Sequence, residues 1–253
     1  MLFYGKTDIG RRRESNQDNF IIKKYSDEIL AAVVCDGMGG VHGGNIASEI
    51  AVSAFIAELD SCSAHNPAFS GMDEDNLNEL LRDAVVAANR EVYSRGIADT
   101  ALTGMGTTLV GCIMTEKSAH IVNVGDSRLY LVSAADGEIE QVTHDHSVVQ
   151  NMIDKGKLSI EDAKHYKYKS VIMRAVGTQK YVAADVFVCD MKPGTYIVLC
   201  SDGLSNLVEP SEIAESVLTI GKTSSIEDAC CSLVERANNR GGFDNITAVI
   251  LGI

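Results

Sequence analysis

Apolar residues gather along this chain in short blocks, most of them the length of a strand. Runs rich in Val, Ile and Leu stand at LFYGKTD (2–8), NFIIKKY (19–25), EILAAVVCD (28–36), TTLVGCIMT (107–115) and AHIVNVGD (119–126). Others follow at RLYLVSA (128–134), GEIEQVT (137–143), VAADVFVCD (182–190), TYIVLCSDG (195–203) and ITAVILG (246–252). β-Branched residues bounded by turn formers predict strands. Two longer stretches change to a helical period: IASEIAVSAFIAEL (46–59), and DNLNELLRDAVVAANREVYSR (75–95) with Leu77, Leu80, Leu81, Val85 and Ala88 on one face. The polar stretch between them, SCSAHNPAFSGMDE (61–74), predicts a loop, and KHYKYKSVIMRAVG (164–177), with no clear period, predicts an ordered loop. Short helical pieces are expected after Asp145. PSEIAESVLTI (210–220) and SIEDACCSLVERANN (225–239) predict two more helices, with Pro210 at the favoured first position.

Strands in consecutive hairpins, with helices inserted in blocks, predict an α+β fold: antiparallel sheets packed on each other and helices outside. At 253 residues, with no repeat, low-complexity tract or linker, a single domain over 1–253 is expected. The net charge of -13 argues against nucleic acid or anionic membrane as partner, and suits divalent cations if particular carboxylates converge. Seven cysteines, none in a CxxC pair and several inside apolar runs such as AAVVC and YIVLC, read as reduced core residues of a cytoplasmic protein. No apolar run approaches the roughly 20 residues a bilayer requires, and the first residues lack a signal-peptide block.

The candidate chemistry lies in aspartates placed where strands run out. Asp36 ends EILAAVVCDG, Asp202 ends TYIVLCSDG, Asp126 follows AHIVNVGD, Asp244 opens the last strand and Asp18 stands at the entry to the second. Carboxylates are hard oxygen ligands suited to Mg²⁺ or Mn²⁺, and two such ions sharing a carboxylate can clamp a phosphoryl oxygen. Asp-Gly is also a common hairpin turn. Asp136-Gly137, between short and partly polar flanks, reads as a plain hairpin; Asp36 and Asp202 each follow a nearly all-apolar run. Spacing alone leaves the metal and turn readings both open. In DGMGGVHGGNIAS the glycines allow close backbone approach before a helix, and Gly37 can offer its carbonyl to a cation. The loop lacks the lysine of a P-loop and does not match GxGxxG, so nucleotide binding is not expected.

The ordered set RxxNQD, DGMGG, GTT, GDSR, DHS, SDGL and DNIT resembles the metal-dependent protein phosphatases of type 2C in their bacterial form, over about residues 7–251. The resemblance implies a four-layer sandwich, two antiparallel β-sheets flanked by α-helices. It implies hydrolysis of phosphoserine and phosphothreonine by water activated at a binuclear Mn²⁺ or Mg²⁺ centre, with no phosphoenzyme. Position by position it makes Asp36 the bridging ligand, Gly37 a carbonyl ligand, and Asp202 and Asp244 the remaining ligands of the first ion. Asp18 serves the second ion, and Asp126 with Asp202 holds a weaker third. Arg13 grips the substrate phosphate, a bidentate pairing suited to guanidinium, while Arg11 and Arg12 read as a solvated cluster. Arg13, Asp36 and Asp202 are the residues expected to carry catalysis. The implied partners are phosphorylated proteins and a cognate Ser/Thr kinase, with the phosphatase itself a monomer.

The chain departs from the family pattern in two places. Gln17 stands where many relatives have glutamate, so support of the second ion loses a charge. Met38 and Val41 occupy places where relatives carry a histidine, which leaves His42 as candidate general acid. His144 and His146 flank Asp145, but the other histidines do not complete an HD-type site; THDHS is expected to shape a helix start. Thr107 and Thr108 are expected to pack or bond within the sheet, and residues 156–177 match a variable flap beside the active site. A catalytically silent module on the same fold is disfavoured by the complete aspartate set. A phosphatase of anti-anti-sigma regulators is disfavoured by Arg13.

Overall fold

The structure, a computed structural model, describes residues 1–163, 166–168 and 170–253, and all their side chains except those of Val41 and His42. In chain order the elements are β1 (Leu2–Asp8), β2 (Asp18–Ser26), β3 (Ile29–Met38), α1 (Gly40–His65), α2 (Glu74–Ala98), β4 (Gly106–Thr107) and β5 (Leu109–Met114). Next come β6 (Ser118–Val124), β7 (Arg128–Ser133), β8 (Ile139–Gln141), α3 (Val148–Asp154), α4 (Ile160–Ala163), β9 (Asp185–Asp190) and β10 (Thr195–Cys200). The chain closes with α5 (Asp202–Ser205), α6 (Pro210–Val217), α7 (Ile226–Asn239) and β11 (Ile246–Gly252).

One sheet runs β1-β11-β10-β7-β8 and the other β2-β3-β5-β6-β9, every pairing antiparallel, with β4 on the end of β3. Alternation in the strands sorts their residues between two layers of core. Leu30, Ala32 and Val34 of β3 meet Leu129, Ile197, Leu199 and Val249 of the opposite sheet, all fully buried. The residues between them, Ala31, Val33 and Cys35, point outward to α1 and α2, where Phe55, Leu59, Leu81 and Val85 cover them. On the far side Val198, Cys200, Ala248 and Ile250 pack under Ile213, Val217, Leu233 and Val234 of α6 and α7. The result is the expected four layers. Leu199, buried between the sheets, is the kind of residue whose truncation to Ala costs about 2–5 kcal/mol.

Several elements differ from the sequence expectation for stated reasons. The run TTLVGCIMT splits into β4 and β5 at Thr108, which leaves the ladder to bond Asp36: the Asp36 N–H donates to Thr108 Oγ1 (2.9 Å) and the Thr108 N–H to the Asp36 carbonyl (2.9 Å). The run TYIVLCSDG is strand only to Cys200; Asp202 instead heads the single turn α5. The largest difference is α1, which starts at Gly40 rather than after a glycine loop and continues to His65. Gly39, at φ +136°, turns the chain from β3 straight into the helix. Gly44 lies inside α1 because a Cβ there would run into the Gln17 side chain. By contrast Pro210 starts α6 as expected, with a capping box between Glu209 and Glu212. All seven cysteines are free. Among the described residues, no helix is long and apolar enough to cross a membrane.

Candidate active site

At one end of the sandwich the strand ends bring the five predicted aspartates together, four of them on one cleft and Asp18 behind it. Asp36 sits near the end of the interior strand β3, and Asp18, opening β2, is its direct cross-strand partner. Asp126 occupies the turn between β6 and β7, Asp202 follows β10, and Asp244 stands two residues before β11. Asp36, Asp126, Asp202 and Asp244 line a cleft of about 630 Å³ together with Gly37 and, at its mouth, Arg13. Asp18 lies behind them, buried, with Oδ2 accepting from Ser201 Oγ and Thr247 Oγ1 (both 2.7 Å).

Concentrating carboxylates in this way has an electrostatic cost, visible in Asp18, Asp36, Asp126 and Asp202. Burial, with the charges of Asp202 and Asp244 adding to it, pushes the Asp18 carboxyl up to about 7. Asp36 is pushed well above the carboxylate range by burial first, then by Asp18, Asp202, Asp126 and Asp244. Asp126 rises to about 7, through burial and then Asp202, and Asp202 rises through burial and then Asp244. Two of their buried oxygens, Asp18 Oδ1 and Asp202 Oδ1, have no hydrogen-bond partner among the described residues. Buried carboxylate oxygens without donors are costly. A divalent cation would satisfy both the charge and the lone pairs, so the donor set fits hard metal ions. Among the described residues, no three His, Cys, Asp or Glu side chains close a cage around one point. The set is an open one, in which backbone oxygen and water would have to complete any coordination.

Neighbouring backbone is packed to hold these positions. A Cβ on Gly37 would strike the Gly44 carbonyl, and one on Gly203 would strike the Asn245 carbonyl. Arg13 donates through Nη2 to Asp244 Oδ2 (2.7 Å), and this contact holds its guanidinium charged. Both groups are substantially exposed, and exposed ion pairs contribute about 0–1 kcal/mol. The Arg13 guanidinium can therefore part from Asp244 at little cost. Gln17 keeps its place by donating Nε2 to the Gly40 carbonyl (2.9 Å), while its own carbonyl accepts from Gly37 N–H and Ser48 Oγ.

Four residues that organise the site were not singled out from sequence as supports. Asn245 donates to the Ile9 and Ser15 carbonyls and accepts from Gln17 N–H, tying the loop that carries Arg13 to the strand behind Asp244. Its sequence signal is its place in DNIT, beside Asp244. Ser201 and Thr247 hold Asp18, and each reads in sequence as an ordinary residue at a strand end. Arg128, the last residue of GDSR, forks onto Asp145 with Nε and Nη2.

The remaining expectations are placed as follows. His144 pairs with Asp154 and His146 with Gly125 and Asp185, so the two diverge and form no HD-type site. Ser147 caps α3, so THDHS does start a helix. Thr108 bonds Asp36 and Ser127 Oγ (2.7 Å). The His42 side chain, candidate general acid, lies outside the described residues, as do residues 164, 165 and 169 of the segment 156–177. Ser170 and Ile172 of that segment line the cleft.

Comparison with known proteins agrees with this geometry. A family model described as Protein phosphatase 2C matches residues 7–235. The serine/threonine phosphatase Stp of Listeria monocytogenes is 34% identical over 246 residues, spanning 97% of this chain and 93% of its own. The serine/threonine phosphatase Stp1 from Staphylococcus aureus superposes with a TM-score of 0.86 at 31% identity, covering 99% of this chain and 94% of that one. The catalytic domain of the serine threonine protein phosphatase PstP, solved in complex with 2 manganese ions, gives a TM-score of 0.80 at 31% identity, covering 98% of this chain and 96% of that one. With matches of this extent on a sandwich whose strand ends gather the same ordered motifs, the chain belongs to the protein phosphatase 2C family.

Proposed function

We propose that this chain is a protein serine/threonine phosphatase that hydrolyses phosphoserine and phosphothreonine directly with water, using two Mn²⁺ or Mg²⁺ ions. The observation that carries this reading is the convergence of Asp36, Asp126, Asp202 and Asp244 on one cleft, with Asp18 buried behind them and Arg13 at its mouth. Asp36, the Gly37 carbonyl, Asp202 and Asp244 would hold the core ions, Asp18 would serve the second, and Asp126 with Asp202 would hold a weaker third. Such ions supply a nucleophilic water at neutral pH and Lewis-acid stabilisation of the phosphoryl group. The chain's own part is to bind and orient. Arg13 releases Asp244 and takes two phosphoryl oxygens in its fork. Ser201 and Thr247 keep the second oxygen of Asp18 turned away, leaving Oδ1 for the ion side. Thr108 fixes the backbone on both sides of the Asp36 carboxylate.

The substrates are phosphorylated proteins, including those of a cognate Ser/Thr kinase, and the enzyme acts as a cytoplasmic monomer. The test is hydrolysis of a phosphothreonine peptide by protein stripped with EDTA, before and after Mn²⁺ or Mg²⁺ is restored. Activity that returns only with the metal is the expected result. Full turnover after exhaustive chelation would overturn the reading.

A further inference from the structure

A histidine outside the carboxylate set occupies a junction that the proposed chemistry leaves unexplained. His146 is nearly fully buried, its side chain only 6% exposed. Its ring accepts at Nδ1 from the Gly125 N–H (3.0 Å), and its own backbone N–H donates to the Gly125 carbonyl (2.9 Å). Gly125 is thus held on both sides by one residue, directly before Asp126. Its φ of +111° and the closeness of Thr108, whose Cγ2 would stand 2.7 Å from an added Cβ, restrict this position to glycine. The Asp126 turn is therefore fixed by His146 on one side and Thr108 on the other.

The other end of the same ring reaches elsewhere. Because Nδ1 accepts an amide proton, a neutral ring carries its proton on Nε2, which donates to Asp185 Oδ2 (3.1 Å). Asp185 in turn receives Arg174 Nη1 (2.6 Å), and that guanidinium lies 3.0 Å from His146 Nε2 and donates to the Ala183 carbonyl (3.2 Å). Arg174 directly follows residues 171–173, which pair with residues 146–148: Met173 N–H donates to the His146 carbonyl (2.7 Å) and Val148 N–H to the Val171 carbonyl (2.9 Å), with an isolated bridge between Ser147 and Ile172. Ile172 lines the cleft, while Val171 and Met173 are exposed beside it.

Resting on the phosphatase reading, we infer that His146 is a positioning residue that joins the Asp126 turn to the cleft wall at residues 171–173. Its Nδ1 arm sets the Asp126 carboxylate. Its Nε2 arm, through Asp185 and Arg174, sets the wall against which a phosphoprotein is seated. Substrate and the Asp126 cation site are thereby held in register by one buried ring.

The two arms can be cut separately. His146→Asn keeps an acceptor at the Nδ1 place and removes the Nε2 arm; His146→Gln reaches toward Asp185 and abandons Gly125. Each protein is titrated with Mn²⁺ by calorimetry, assayed on a phosphothreonine peptide and on p-nitrophenyl phosphate, and melted in EDTA to check folding. For His146→Gln the weakest Mn²⁺ site is expected to lose about tenfold in affinity, the scale of an outer-shell partner. For His146→Asn that site keeps its affinity and KM rises for the peptide alone. Arg174→Gln, on a partly exposed side chain, guards against failure of the buried variants to fold and is expected to repeat the His146→Asn result. A wild-type Mn²⁺ titration in folded His146→Gln, the same behaviour in both histidine variants, or an unchanged peptide KM in Arg174→Gln overturns the inference. Metal-independent turnover by the wild-type protein would instead remove the phosphatase reading beneath it.

Discussion

The chain contains three Asp-Gly pairs, at 36, 136 and 202, and the structure gives them two different fates. Asp136 closes the hairpin between β7 and β8. Its Oδ1 accepts from the Glu138 N–H, and hydrogen bonding from Ser133 and from that amide holds its carboxyl below the usual range. The turn satisfies its own carboxylate. Asp36 and Asp202 end up among other carboxylates, where burial and mutual repulsion hold them above the usual range, and Asp202 keeps an oxygen with no donor. An aspartate whose charge is met by its own backbone belongs to a turn; one whose charge the protein leaves unmet is a candidate cation ligand. The dipeptide is the same, and the surroundings decide.

The largest effect expected from this contrast is on activity. Asp36→Asn and Asp202→Asn should each lower kcat by more than the roughly 10–100-fold that loss of an outer-shell partner costs. Asp136→Asn should leave kcat unchanged, since asparagine is equally at home in that turn. Steady-state assays on a phosphothreonine peptide distinguish these outcomes, and a large loss in Asp136→Asn would erase the contrast.

Asp126 tests an intermediate case, a turn aspartate whose carboxyl is nonetheless pushed up to about 7. Asp126→Asn should melt in EDTA like the wild type, still bind Mn²⁺ at the core sites by calorimetry, and lose most peptide turnover, with an altered Mn²⁺ dependence. An unaltered Mn²⁺ titration with wild-type kcat would return Asp126 to the class of Asp136.

Arg13→Ala should chiefly raise KM, because phosphate binding is felt in ground and transition states alike. The rise should exceed what freeing Asp244 returns, given the small value of an exposed ion pair. A fall in kcat at constant KM would place the guanidinium in the transition state instead.

The smallest effect is on stability, and its sign is opposite to the usual one for carboxylates. Asp18 and Asp126 have folded-state values near 7 against an ordinary 3.8. Between those values the folded state binds more protons than the unfolded, so metal-free stability falls as pH rises through that window. The contribution is fully present at lower pH and lost above about 7. Melting in EDTA across this range should show the decline, Asp18→Asn should flatten it, and Mn²⁺ should offset it most at the upper end. A melting temperature that climbs through the window would contradict the assignment of these two carboxyls.

Much of this was legible in the sequence because burial writes itself into period and composition. The continuous apolar run before Asp36 marks a central strand, and five leucine, valine and alanine positions on 75–95 mark the face of α2 that is in fact buried. The start of α1 was not legible, because glycines at 43 and 44 weaken a helix and their reason lies in Gln17 and Met105, distant in sequence. The break at Thr108 likewise depends on Asp36, 72 residues away. Asn245, Ser201 and Thr247 escaped notice for the same cause: single polar residues acquire a role only from partners that the topology brings to them.

Calorimetric titration of EDTA-stripped protein with Mn²⁺, repeated in buffers of different ionisation enthalpy, tests the claim that this cleft is built to receive cations. The wild-type protein should bind Mn²⁺ and release protons near pH 7, because carboxyls held near that value must give them up. Asp36→Asn should abolish the tight phase, and Asp136→Asn should leave it untouched. A wild-type isotherm in Asp36→Asn, or binding without proton release, would contradict it.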